Sequence, residues 1–361
     1  MSVQIRYKKQ FVLGILLLII LALAVEGIIR VYESSLPSEC LDWMHYDAFN
    51  DDKTAEQTCR DIKELKYQFF DTHKRIEPNQ HYDTININNF GFRGQEITKV
   101  KPEGVYRIFI VGGSTAFSHS SSDETTISGF LQKKFDALNL EQKIEVINAG
   151  VSGSFSYDEN NLIKEYLLQF EPDFIIVYSG GYDARYRIIE ELPTYKTDIF
   201  VGFFKLSDLK IYRTPFFLNE VLTNPIWINF NEEYYEVIAD NWKKRWIEIC
   251  ELGNSNGFST LVTIQPTILT VKKELSSDEA QFVKNNAIEE TTKIILESMS
   301  KSLPLLEQKC TQTGDLRGIF DGFPEPLFFD DIHTTDKGNE VIAEKLFELS
   351  FPIVKNASQQ N

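Results

Sequence analysis

A chain of 361 residues that is 42% hydrophobic and 13% aromatic carries enough apolar side chain to bury a sizeable core, which excludes wholesale disorder. Lys plus Arg at 37 against Asp plus Glu at 53 leaves a net charge of −16, which repels a phosphate backbone and argues against nucleic acid as a partner. Four cysteines, at 40, 59, 250 and 310, form no CxxC pair, and with five histidines they offer none of the spacings of a structural zinc site, so no metal is expected.

The first ten residues carry Arg6, Lys8 and Lys9 and no acid. An apolar run follows from Phe11 to Val25 and resumes after Glu26 as Gly27-Ile28-Ile29, close to the ~20 residues needed to cross a bilayer. This predicts a basic cytoplasmic tail over 1–10 and a transmembrane signal anchor over 11–31, with the remainder of the chain outside the cytoplasm. The alternative is a cleaved signal peptide and a secreted product, since Ala22-Leu23-Ala24 has the small-x-small form of a cleavage site. An exported chain permits disulfides, and the expected pairs are Cys40 with Cys59 and Cys250 with Cys310.

Residues 32–104 are polar and turn-rich and read as an extracytoplasmic lead-in, with Asn88-Asn89-Phe90-Gly91-Phe92-Arg93-Gly94 as their most distinctive piece. From 105 to 351 short β-branched and aromatic runs alternate with stretches of helical period, which predicts an α/β domain with a parallel sheet covered by helices. Strands are expected at Tyr106 to Val111, Ile144 to Ile147, Phe174 to Tyr178 and Ser259 to Ile264. Each is apolar along its length, as buried strands are. Ile127, Phe130, Leu131, Phe135 and Leu138 define one face of a helix behind Asp123 as its N-cap. Further helices are expected over 158–170, 232–252, 280–303 and 337–349, before a polar tail at 352–361. An aromatic-rich insertion at 185–230 breaks the alternation and is a candidate cap over the crevice at the carboxyl ends of the strands. Trp227, Trp242 and Trp246 read as core anchors, and His45, His73, His81 and His119 have no metal-ligand spacing.

The candidate chemistry sits in four short stretches. Gly112-Gly113-Ser114-Thr115 places a serine hydroxyl at the end of the first strand, with no GxxxxGK[ST] phosphate loop and no GxSxG elbow around it. Asn148-Ala149-Gly150 follows the second strand and Ser179-Gly180-Gly181-Tyr182-Asp183 the third. Asp330 and His333 stand three apart before the last helix. A serine nucleophile needs an imidazole to accept its proton, and that imidazole needs a carboxylate on its other nitrogen. Backbone N–H groups at Ser114 and Gly150 are placed to converge on an oxyanion.

In this order the stretches resemble the SGNH, or GDSL, family of serine hydrolases, especially exported, membrane-anchored members with an Asn-x-x-Gly-Phe-Arg-Gly lead-in. The resemblance spans roughly residues 86 to 350. It implies a three-layer α/β/α fold of flavodoxin-like type and esterase or acyl-transferase chemistry without a cofactor. Ser114 would be the nucleophile, His333 the base and acid, Asp330 the orienting carboxylate, and the N–H groups of Ser114 and Gly150 oxyanion donors. Plausible substrates by resemblance are O-acyl groups of surface glycans or of lipids. The chain departs from the family at Tyr182, where an asparagine amide usually completes the oxyanion hole. The departure leaves three readings: an esterase, an O-acyltransferase, or a degenerate member that binds glycan or a protein partner.

Overall fold

The computed structural model describes residues 7–35, 52–138, 140–186, 232–284 and 289–358. The chain divides into two compact units. One comprises Met1–Glu39 and Tyr195–Asn229, the other Cys40–Thr194 and Phe230–Asn361.

In the first unit the described element is helix α1 (Tyr7–Ser35), in which Lys9–Ile28 is long and apolar enough to cross a membrane by length and composition. The expected insertion at 185–230 lies outside the described residues beyond Tyr186, and so do Trp227, His45 and Cys40.

In the second unit β1 (Tyr67–Phe69) pairs with β2 (Lys74–Ile76) and β3 (Gln80–His81) with β4 (Asn86–Ile87), and the parallel strands β5 (Val105–Gly112), β6 (Lys143–Asn148), β7 (Phe174–Ser179), β8 (Ser259–Ile264) and β9 (Gln312–Asp315) form one sheet in the order β6-β5-β7-β8-β9. All eight residues of β5 and all six of β7 are buried, because helices cover both faces. Side chains alternate between the faces. Phe109, Val111, Ile175 and Val177 pack with Leu162, Trp242, Trp246 and Leu296 on one side, while Ile108, Ile110, Phe174 and Ile176 pack with Leu131, Phe135, Ile342 and Leu346 on the other. The layering is α/β/α, the α/β class that the alternation predicts and the three layers that the family resemblance implies.

The fifth strand is a difference from the sequence reading. Gln-Thr-Gly-Asp has no apolar run, and only Thr313 is buried, since β9 lies at the sheet edge beside β8. Other differences concern the ends of elements. The helix after β5 spans Ile127–Asp136 and is capped by Thr126, whose Oγ1 accepts the Gly129 N–H, whereas Asp123 opens a 3-10 turn. The next helix begins two residues early at Ser156 and ends at Glu165, with a separate 3-10 turn at Leu167–Phe170. The stretch over 280–303 is two helices, Ser277–Lys284 and Glu289–Leu306. The last helix runs Asp336–Ser358 through Pro352, so 352–358 is not a polar tail: Val354 is buried there against the core.

The expected lead-in also contributes to the core. Helix Asp52–Glu64 and two short antiparallel pairs, Tyr67–Phe69 with Lys74–Ile76 and Gln80–His81 with Asn86–Ile87, bring Ile62, Leu65, Ile76, Ile85, Ile87 and Phe92 into the cluster on the Trp242 side of the sheet. Cys250 is bonded to Cys310, and Cys59 is also in a disulfide.

Candidate active site

Four of the stretches singled out above lie at one end of the sheet. The end of β5 is tight: a Cβ on Gly112 would lie 2.2 Å from the Tyr178 carbonyl oxygen. Glycine there lets β5 and β7 close up just before the chain turns, and the single helical turn Ser114–Phe117 follows. Arg93 of the Gly-Phe-Arg-Gly stretch holds that turn from beneath. Its buried guanidinium donates to the carbonyls of Phe117 (2.9 Å) and Ser118 (3.0 Å), pairs with Asp123 (2.8 Å), and lies over the Phe117 ring.

The second arm of the site is a hairpin. Phe328 bridges Thr334, and Phe329 N–H donates to the His333 carbonyl. Its tip is organised by Asp330, whose Oδ1 accepts the N–H groups of Ile332 (2.8 Å) and His333 (2.6 Å). The base of the hairpin is held by Glu279, fully buried against Lys273 at 2.9 Å, which accepts the N–H groups of Leu327 and Phe328. Asp330 and His333 are thereby fixed by a loop closed on itself and anchored to helix Ser277–Lys284.

The structure brings these arms together. His333 Nδ1 lies 2.6 Å from Asp330 Oδ2, and His333 Nε2 lies 2.6 Å from Ser114 Oγ. With an acceptor carboxylate on Nδ1, the proton belongs there, and Nε2 accepts the Ser114 O–H. Burial alone would favour the neutral form of Asp330, but His333 and the N–H bonds outweigh it and hold the carboxyl down at about 2. The rings of Phe329 and His119 both lie beside that of His333, with centroids at 5.4 and 5.3 Å. Burial, reinforced by His333, presses His119 down to about 3, so it stays neutral beside His333.

Gly150 is placed differently from the sequence expectation. Its N–H donates to Asn148 Oδ1 at 3.0 Å, and a Cβ on it would lie 2.3 Å from Phe117 N. Asn148 thus holds its own loop, and Gly150 serves close packing with its N–H committed to Asn148. The loop glycine near Tyr182 is Gly153, in the left-handed region at φ +72; its Cβ position is 4.0 Å from the Tyr182 hydroxyl and 2.9 Å from Lys74 Nζ. The signal for it was the second glycine of Gly150-Val151-Ser152-Gly153, three residues beyond the one chosen.

Tyr182 and Ser114 line a common cavity with His333, Glu159, Ser179 and Gln265. Asp183, next in the chain, lies below and is not in that lining. It accepts the Ser156 N–H at 3.1 Å, faces Arg245 at 3.7 Å, and its carboxyl is raised by burial. Glu159 and Gln265 carry no sequence motif and were not anticipated.

No protein-family model matches the chain, and no curated protein does either. Similar solved structures include an alpha/beta hydrolase from the metagenome of Lake Arreo, Spain (16% identity, 67% of this chain and 94% of that one, TM-score 0.41). An acetyl xylan esterase matches at 15% identity (67% and 98%, TM-score 0.43), and an acetylxylan esterase from Geobacillus stearothermophilus at 13% (67% and 93%, TM-score 0.41). At these values the assignment for this chain rests on its own geometry.

Proposed function

We propose that this chain is an exported, membrane-anchored serine esterase that removes a short acyl group from a surface glycan or lipid. The observation that carries the reading is the pair of 2.6 Å contacts by which one imidazole links Ser114 to Asp330, residues more than two hundred positions apart. In this mechanism Ser114 Oγ attacks the ester carbonyl as His333 Nε2 takes its proton, and Asp330 stabilises the imidazolium. The developing oxyanion is met by the Ser114 N–H, with the Gly153 N–H and the Tyr182 hydroxyl as the further donors in place of Gly150. The imidazolium returns its proton to the departing alkoxide, and water, deprotonated by His333, releases the acid from the acyl-enzyme. Helix Tyr7–Ser35 would tether the domain, with the basic N-terminus left in the cytoplasm.

Tyr182 in the position of an amide favours a second reading, a catalytically silent protein that binds glycan or a partner in the same crevice. Labelling the full-length chain with a fluorophosphonate, followed by mass spectrometry of the modified peptide, separates the two. The esterase reading expects modification at Ser114, lost in Ser114→Ala together with a fall of about 10⁴-fold or more in ester turnover. A folded chain that takes no label and cleaves no ester belongs to the silent reading.

A further inference from the structure

The cavity beside Ser114 has a volume of about 40 Å³, and Ile332 contributes the only aliphatic side chain to its lining among the described residues. Gln265, at the carboxyl end of β8, is 2% exposed. Its Oε1 accepts the Thr115 hydroxyl at 3.0 Å. Its Nε2 has no hydrogen-bond partner among the described residues. Glycine at 181 makes room for this placement, because a Cβ there would lie 2.6 Å from Nε2. Across the cavity stands Glu159, fully enclosed, accepting the Ser179 hydroxyl at 2.6 Å; burial and the neighbouring Asp183 raise its carboxyl well above the usual range.

A buried amide donor left unpaired is costly unless a bound group satisfies it. With its carbonyl on Thr115, the Gln265 amide leaves Nε2 as the group without a partner among the described residues. The alcohol side of a surface ester belongs to a molecule far too large for this cavity, so the part of the ester seated there is the acyl side. An alkyl chain would bury methylenes against Glu159, Ser179 and the Gln265 amide and leave Nε2 without an acceptor.

We propose that the cavity is the acyl subsite and that Gln265 is its specificity-determining residue, donating Nε2–H to an oxygen carried by a short acyl group beyond the ester carbonyl. This rests on the esterase reading above. The enzyme then selects short, oxygen-bearing acyl groups over alkyl groups of the same size. A site built to donate a hydrogen bond discriminates strongly against an isostere that lacks the acceptor.

The test uses full-length enzyme and two para-nitrophenyl esters of matched shape, methoxyacetate and butyrate, with kcat/KM divided by the hydroxide-catalysed rate of each. The wild type should prefer methoxyacetate by at least about tenfold, the order of one net hydrogen bond. Gln265→Met, which keeps the length and removes the donor, should bring the corrected ratio within about twofold of unity. Gln265→Glu, nearly isosteric, should do the same if the Met variant does not fold. A wild-type ratio near unity in protein that takes the fluorophosphonate at Ser114 would overturn the subsite assignment and leave the esterase reading intact. An equal fall in kcat on both esters in Gln265→Met would overturn it too, assigning Gln265 to the carbonyl oxygen. Absence of label and of any ester cleavage would remove the esterase reading and this inference together.

Discussion

Tyr182 carries the largest chemical question at the scale of single residues. A phenol reaches further from the backbone than an amide, so it cannot donate from the same place. The Tyr182 hydroxyl lies 4.0 Å from the Cβ position of Gly153. If that hydroxyl is an oxyanion donor, Tyr182→Phe removes a contact made chiefly in the transition state. The variant should lose about 100-fold in kcat with KM nearly unchanged. Steady-state kinetics on para-nitrophenyl acetate would check this, and unchanged kcat would take Tyr182 out of the oxyanion hole. Arg93 belongs at this scale as well. The Asn-x-x-Gly-Phe-Arg-Gly stretch reads as part of a polar lead-in in sequence, yet Arg93 is 4% exposed and its guanidinium ties the segment after Ser114 to Asp123.

At the scale of elements, helix Ser156–Glu165 is unusual in burying Asp158 and Glu159, with Asp183 beside them and Arg245 the guanidinium that pairs with Asp183. Burial raises the Asp158 carboxyl to about 7, despite the Phe155 N–H it accepts. An unfolded chain releases this proton near pH 4, about the ordinary aspartate value. Between pH 4 and 7 the folded state therefore binds more protons than the unfolded one, and this residue's contribution to stability falls as pH rises through that window. Glu159 and Asp183 are shifted in the same direction. Asp158→Asn keeps an acceptor for Phe155 and removes the ionisation. Thermal melts should find the variant about 2–4 °C more stable than the wild type at pH 8, with the gap closing by pH 4. A gap independent of pH would show that Asp158 does not titrate in this window.

For the molecule as a whole, the Cys250–Cys310 bond closes a loop of 60 residues and ties helix Glu232–Asn256 to the start of the edge strand Gln312–Asp315. Such bonds persist in oxidising compartments. Replacing both cysteines by alanine should lower stability by about 2–4 kcal/mol in urea unfolding. A smaller loss, below about 1 kcal/mol, would mean that packing alone holds this edge of the sheet. The layered α/β/α class, the buried strands and the tryptophans at 242 and 246 were legible in the sequence, because burial on both faces demands continuous apolar runs and large side chains. The serine at the strand end and the Asp-x-x-His turn were legible as residue types, since nucleophile chemistry limits the choice. Tertiary structure alone decided which glycine lies near Tyr182, that an apolar-poor Gln-Thr-Gly-Asp completes the sheet, and that Gln265 lines the cavity with an amide nitrogen that has no partner among the described residues. Those outcomes depend on which groups from distant segments meet and which hydrogen bonds they leave unmade, and neither quantity is written in a local pattern.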